Sequence, residues 1–108
     1  MGIEASAAQP FMTVLEAHVD PAQWPTLRQA YSGAVAELPA QIMRSFLVQS
    51  GADPTLWRVE SIWRSRAALE EYRRSVTTPG GILIFRAAGA EPVFSSFDVV
   101  ATVPTSLS

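Results

Sequence analysis

The pattern of apolar and polar residues predicts β-strands in four parts of the chain. Successive side chains of a strand point to opposite faces, so a two-residue period indicates one packed and one open face. The predicted strands cover residues 11–19, 42–49, 56–63 and 94–103, and the period is seen in the first, third and fourth of them. The second and third segments flank a stretch of turn-forming residues, and they are therefore predicted to pair as a hairpin.

Between the strands, apolar residues recur every three or four positions, which is typical of amphipathic helices. One helix is expected after Asp20-Pro21 and should end at Pro39, because proline cannot continue a helix. Ser65 is a good N-cap for a second helix. Residues 82–88 form a short apolar run that suits a helix or a buried strand equally.

The order of these elements is β-α-β-β-α-β, with the undecided run before the last strand. This order matches the ferredoxin-like split β-α-β arrangement. It predicts an α+β fold, a two-layer sandwich with a four-stranded antiparallel sheet. Residues 11–103 would form the single domain of this 108-residue chain, with a mobile N-terminal lead over 1–10 and a C-terminal tail over 104–108.

The face of the sheet that turns away from the helices is also expected to be apolar, because helices can cover only one face of such a sheet. Its predicted members are Met12, Val14, Ile62, Phe94 and Val100. Apolar surface of this extent is a liability in water, so a partner should cover it. We therefore predict a homodimer joined through the sheet faces, since C2 symmetry is the commonest way to close an oligomer.

Composition narrows the classes of function. The net charge is -2 and the eight basic residues, all Arg, are scattered, which disfavours a nucleic-acid surface. No apolar run approaches the roughly 20 residues needed to span a bilayer, and the N-terminus lacks the pattern of a signal peptide. We expect a cytoplasmic protein with no membrane partner. Without Cys and with one His, the chain offers no ligand spacing for a metal, so we expect neither metal nor cofactor.

The junction between the third strand and the second helix carries a resemblance to a known family. Over residues 56–72, the strand ends in Trp63, Ser65 follows as a cap, and the helix carries Ala68-Leu69 and then Tyr72. This succession is similar to antibiotic-biosynthesis-monooxygenase domains, in which a strand ends in an aromatic residue, usually Trp, before a capping residue and a helix with an Ala-Leu pair. The similarity in element order extends over about residues 11–103.

The resemblance implies a dimeric α+β barrel, in which two sheets pack face to face, and a pocket lined by Trp63. Members of this branch include cofactor-independent oxygenases acting on polycyclic phenols, quinol oxygenases and haem-degrading enzymes. The haem-degrading members use an Asn, a Trp and a His on the helix after the Trp. This chain has no Asn and carries Arg73 in that region, so haem degradation is disfavoured.

His18 is the single His of the chain, and imidazole is the usual side chain for proton transfer near neutral pH. The strand period places it beside Glu16, with Asp98, and Arg58 or Glu60, expected on the same face of neighbouring strands. A carboxylate beside a His can orient it as a general base. We therefore predict His18 and Glu16 as catalytic residues; the alternative is a structural polar cluster.

Several aromatic residues are expected to face the helix layer, where they could sandwich a flat ligand. The candidates for substrate binding are Trp63, Tyr72, Trp57 and Arg73. The alternative is an ordinary core, which is the commoner fate of such aromatics and is favoured for Trp57, Trp24 and Tyr31.

These features predict a cofactor-independent monooxygenase acting on a small aromatic or phenolic molecule, polyketide- or quinol-like. In the resembling enzymes a deprotonated, electron-rich substrate itself reduces dioxygen, and the protein supplies a dry pocket, orientation and a base. Two alternatives stay open. One is an isomerase or cyclase on the same barrel, and the other is a non-catalytic dimer that binds a small molecule.

Overall fold

The computed structural model describes residues 9–104, which form a four-stranded sheet and three α-helices. The strands are β1 (Phe11–His18), β2 (Ile42–Gln49), β3 (Leu56–Trp63) and β4 (Val93–Asp98). The helices are α1 (Trp24–Val35), α2 (Arg66–Ser75) and α3 (Gly80–Ala87), with a 3-10 turn at Pro21–Gln23 before α1. Most of the predicted lead (1–10) and tail (104–108) lies outside the described residues. None of the three helices is long and apolar enough to cross a membrane.

The sheet is antiparallel, with the strand order β2-β3-β1-β4. This is the order of the ferredoxin-like split β-α-β arrangement, so the predicted fold class is confirmed. Leu15 pairs with Val59 on one side and with Phe94 on the other. Residues directly opposite in an antiparallel pair share a face, so these three side chains all point towards the helices.

The core lies between the sheet and the helices and consists of two clusters. The larger one is built around Val19, Leu27 and Phe85, the most deeply buried large side chains. The smaller one joins Trp63 and Leu69 with Phe11 at the other end of the sheet.

Local sequence explains where α2 and α3 begin. The Ser65 hydroxyl accepts a hydrogen bond from the Ala68 N–H at 3.0 Å, which is the predicted N-cap of α2. Residues 82–87 of the ambiguous run 82–88 belong to α3, whose Ile84 and Phe85 are buried against the sheet and α1, and Ala88 is its C-cap. Helix α1 ends at Val35, earlier than the predicted end at Pro39.

Strand β4 differs from its prediction in length and in the direction of its side chains. It ends at Asp98 rather than at residue 103. Phe97 pairs with Met12 and therefore occupies the face turned away from the helices, where Phe94 was expected. Asp98 pairs with Phe11 and lies on the helix side, so its expected place on the face of the catalytic candidates is wrong.

The sheet surface turned away from the helices, which we call the open face, is uncovered in the single chain. Its members are Met12, Val14, Glu16, His18, Arg44, Phe46, Val48, Leu56, Arg58, Glu60, Ile62, Val93, Ser95 and Phe97. Phe46, Val48, Val93 and Phe97 are exposed, whereas Val14 and Ile62 are already buried by their neighbours. The expected second apolar face is therefore present, with a partly different membership.

Candidate functional site

A cavity of about 360 Å³ opens between the sheet and the helices, within the size range of pockets that bind small organic ligands. All four strands and all three helices contribute to its lining. The lining includes members of both core clusters, such as Leu15 and Val59 from one and Trp63 and Leu69 from the other. The cavity is therefore a gap that the two clusters leave between them.

Trp63 and Tyr72 form an aromatic wall of this cavity, with ring centroids 5.2 Å apart and planes tilted by 45°. Trp63 is 5% exposed, and its indole N–H donates to the Thr13 hydroxyl oxygen at 2.8 Å. This bond fixes the plane of the indole. Because α2 begins three residues after the end of β3, the Ser65 cap brings Tyr72 back over the Trp63 ring.

The start of α3 closes another side of the cavity. The Tyr72 hydroxyl accepts a hydrogen bond from the Gly80 N–H at 2.9 Å, and its own proton remains available as a donor. The backbone at Gly81 approaches the sheet so closely that a Cβ atom there would lie 2.5 Å from Leu15 Cδ1. A residue with a side chain at this position would displace the cavity lining.

Most polar groups inside the cavity already bond to one another. The Tyr31 hydroxyl donates to Ser45 Oγ at 3.0 Å, and Thr13 accepts from Trp63. Ser61 is 7% exposed and lines the cavity, and its hydroxyl has no hydrogen-bond partner among the described residues. Ser61 is therefore available to a ligand.

Two charged side chains line the cavity, Glu37 and Arg73, and both are exposed at its mouth. The Arg73 guanidinium lies over the Phe94 ring, with Cζ 4.8 Å from the ring centroid. No carboxylate within residues 9–104 forms an ion pair with Arg73.

Of the predicted substrate-binding residues, the structure brings Trp63, Tyr72 and Arg73 together at this cavity. Trp57 lies outside it, buried against Trp24 with the ring centroids 5.7 Å apart and 65° between the ring planes. Sequence reasoning missed Ser61, although its two-residue spacing from Trp63 placed it on the same face of β3.

His18 and Glu16, the predicted catalytic pair, do not line the cavity. The strand period puts both on the opposite side of the sheet, and each has another partner. Arg58 Nε donates to Glu16 Oε1 at 2.7 Å, whereas His18 Nδ1 lies 2.9 Å from Thr55 Oγ1 and 3.5 Å from Asp53 Oδ2. The predicted catalytic role of the pair is untested, but the sheet separates both side chains from the cavity.

The contacts of His18 belong to the turn between β2 and β3. Asp53 accepts hydrogen bonds there from the hydroxyl and the N–H of Thr55, at 2.8 and 3.1 Å. These bonds hold the pKa of the Asp53 carboxyl below its ordinary value, with a smaller contribution from the charge of His18. The cluster is exposed and stabilises a turn. In residues 9–104 no group of three or more His, Asp or Glu side chains could hold a metal ion.

No protein-family model matches the sequence, and no curated protein is significantly similar to it. Solved structures, however, share its fold. SnoaB, a cofactor-independent oxygenase from Streptomyces nogalater, is 19% identical with a TM-score of 0.64, over 90% of this chain and 99% of SnoaB. A protein from Caulobacter crescentus CB15, provisionally named an antibiotic biosynthesis monooxygenase, is 17% identical with a TM-score of 0.65, over 90% of this chain and 95% of that protein.

A conserved protein from Methanosarcina mazei Go1 gives a TM-score of 0.68 at 12% identity, over 88% of this chain and 97% of that one. At identities of 12–19%, these likenesses establish the fold and not the activity. The chain thus has the ferredoxin-like α+β fold of proteins named antibiotic biosynthesis monooxygenases, as the resemblance at the Trp63 junction predicted.

Proposed function

We propose that this protein is a cofactor-independent oxygenase that binds a small aromatic, phenolic substrate in the cavity. The observation that carries the proposal is the cavity itself, which is large enough for such a ligand and walled by Trp63 and Tyr72. SnoaB, which has the same fold, is a cofactor-independent oxygenase and supports this choice of reaction.

The residues of the cavity would act mainly by orienting the substrate and excluding water. A flat ring packs against the Trp63–Tyr72 wall, and the hydroxyls of Ser61 and Tyr72 can bond its oxygen substituents. An electron-rich phenolate can itself give electrons to dioxygen, so the protein has to orient the substrate and exclude water. Glu37 is the carboxylate of the described lining, and at the mouth it can accept the phenol proton and release it to water.

The proposal is tested by incubating the pure protein with a panel of phenols and quinols, with and without oxygen. Turnover that requires oxygen supports it. Turnover that continues without oxygen overturns it in favour of an isomerase or cyclase, and tight binding without turnover overturns it in favour of a binding protein. Oxygen uptake and product mass are the measurements.

We further propose that two copies of the chain join through the open face. Four large apolar side chains are exposed there, and a second copy packed on this face would bury them. A specific interface should bury more than about 1,000 Å² in total. Analytical ultracentrifugation should show a dimer at micromolar concentration, and a monomer under these conditions would contradict the proposal.

The position of His18 leads to a prediction about its role as general base in the proposed reaction. We expect His18→Ala to retain turnover within a few-fold and to change the free energy of unfolding by less than about 0.5 kcal/mol, because the side chain is exposed and remote from the cavity. Thr55→Ala removes the hydrogen-bond partner of the imidazole and serves as the control. A loss of about 10²–10⁴-fold in turnover for His18→Ala, with the control active, would instead establish His18 as a general base.

A further inference from the structure

We infer that the ligand of the cavity carries an anionic group, a carboxylate above all, and that Arg73 binds it. The inference rests on the proposed use of the cavity as the ligand site and names the chemical class of the ligand. Arg73 is the sole basic residue among the described residues of the lining, and it stands at the mouth.

The Phe94 ring positions the guanidinium of Arg73, and no carboxylate of the described residues neutralises its charge. Its Cζ lies 4.8 Å from the centroid of the Phe94 ring, a distance at which the ring face attracts the cation. Phe94 is fixed by the pairing of β4 with β1, opposite Leu15. Arg73 makes no hydrogen bond or ion pair to the described residues, so its N–H groups are free to bind a ligand.

Four other arginines are engaged: Arg58, Arg66 and Arg86 each have a carboxylate partner, and Arg64 donates to the Ala40 carbonyl oxygen. Arg28, Arg44 and Arg74 also lack a carboxylate partner among the described residues, but none of them lines the cavity. A planar guanidinium with free N–H groups matches the two oxygens of a carboxylate and binds them through two parallel hydrogen bonds. Arg73 offers this geometry at the edge of an apolar cavity.

The interior of the cavity does not suit a localised charge such as that of a carboxylate. Its hydroxyls at Thr13, Tyr31 and Ser45 are engaged in pairs, the free hydroxyls of Ser61 and Tyr72 are neutral donors, and no other cation of the described chain lines it. A carboxylate deep inside would exchange its hydration for two neutral donors at most, whereas the charge of a phenolate is spread over its ring and costs less to bury. Glu37, the other charged residue of the mouth, would repel an anion. The anionic group of the ligand therefore lies at the mouth near Phe94, where Arg73 can bind it. The apolar ring lies inside the cavity.

The test compares two probes of nearly equal shape, 2-naphthoate and its neutral amide, 2-naphthamide. Binding is measured by calorimetry at pH 7 and low salt. The wild type should bind the naphthoate about 10- to 100-fold more tightly than the amide, the usual worth of a hydrogen-bonded charge pair. Arg73→Gln should reduce this preference to near unity, because it weakens the binding of the naphthoate far more than that of the amide.

Arg74→Gln is the matched control, because Arg74 is the next residue of α2, carries the same charge, is exposed and does not line the cavity. It should keep the preference of the wild type. Equal affinity of the wild type for both probes, or an equal loss of preference in both variants, would overturn the inference. Melting curves of both variants exclude unfolding as the cause.

This test separates the inference from the proposed reaction. Oxygen-dependent turnover of neutral phenols without any preference for the naphthoate overturns the anion site and leaves the oxygenase proposal standing. A preference that depends on Arg73, in a protein that turns over no phenol or quinol, supports the anion site and overturns the oxygenase proposal.

Discussion

Trp63→Ala should lower the free energy of unfolding by about 3–5 kcal/mol and abolish the binding of aromatic ligands. The indole is nearly fully buried, packs with Phe11 and Leu69, and lies beside Tyr72 in the cavity wall. Its removal also leaves the buried Thr13 hydroxyl without its donor. Urea unfolding measures the stability, and calorimetry with a naphthol measures the binding of a ligand by the folded fraction.

Two phenylalanine variants separate the roles of packing and hydrogen bonding. Trp63→Phe keeps a ring in the wall but loses the N–H, so we expect a smaller loss of stability, about 1–3 kcal/mol, from the unpaired Thr13. Trp57→Phe is the control, because Trp57 is equally buried, lies outside the cavity, and its indole N–H has no partner among the described residues. If Trp57→Phe weakened ligand binding as much as Trp63→Phe, the ligand site would not be the cavity walled by Trp63 and Tyr72.

The sequence predicted the central part of the fold well because the determinants there are local. Strands β2 and β3 have the predicted bounds, since both contain several β-branched or aromatic residues and a turn-rich segment lies between them. Ser65 is the cap it was predicted to be. Trp63 and Tyr72 lie on consecutive elements joined by that cap, so their approach could be inferred from residues 56–72 alone.

Strand β4 shows why the remainder could not be predicted. It is a short edge strand in which every residue is exposed in the single chain. The alternation that predicted it lies mostly beyond its end at Asp98, and the six residues of the strand, Val-Phe-Ser-Ser-Phe-Asp, do not alternate regularly. The face that each side chain occupies is then set by the register with β1, which pairs Leu15 with Phe94. A shift of one residue exchanges Phe94 and Phe97 between the faces. As a result the ring beneath Arg73 could not be identified from the sequence.

The partners of Glu16 and His18 could not be identified from the sequence for a similar reason. Residues two apart on a strand are separated by nearly 7 Å along the chain, whereas the residue directly opposite on a neighbouring strand is about 5 Å away. The register places Arg58 opposite Glu16, and the ion pair at 2.7 Å follows. The strand period gave the correct face for both residues, but only the pairing of strands determines the partner.

Phe97→Glu should convert the proposed dimer into a folded monomer. Phe97 is 50% exposed on the open face of the single chain and pairs with Met12, so a carboxylate there remains hydrated in the monomer. In a C2 dimer each substitution occurs twice, and both charges would be buried in the interface. We expect the dissociation constant to rise by at least about 10³-fold, because an unpaired buried charge costs several kcal/mol.

Leu83→Glu is the matched control, because Leu83 is 52% exposed but lies on α3, on the other side of the sheet. Sedimentation should show a dimer for this variant and a monomer for Phe97→Glu, with similar circular dichroism for both. A dimeric Phe97→Glu protein would exclude the open face as the interface, and two monomeric variants would point to a general loss of structure.

The charges of the open face allow two copies to meet there. Glu16 and Glu60 share the single cation of Arg58, at 2.7 and 4.0 Å, which leaves one net negative charge at the centre of the face. Arg44 lies on the same face over the Phe46 ring and has no carboxylate partner among the described residues. A second copy can supply this arginine to the acidic pair, so Arg44→Glu should weaken the dimer more than Arg44→Gln does, in a manner that high salt reduces. Equal effects of the two variants would mean that the dimer is held by its apolar residues and not by this charge pair.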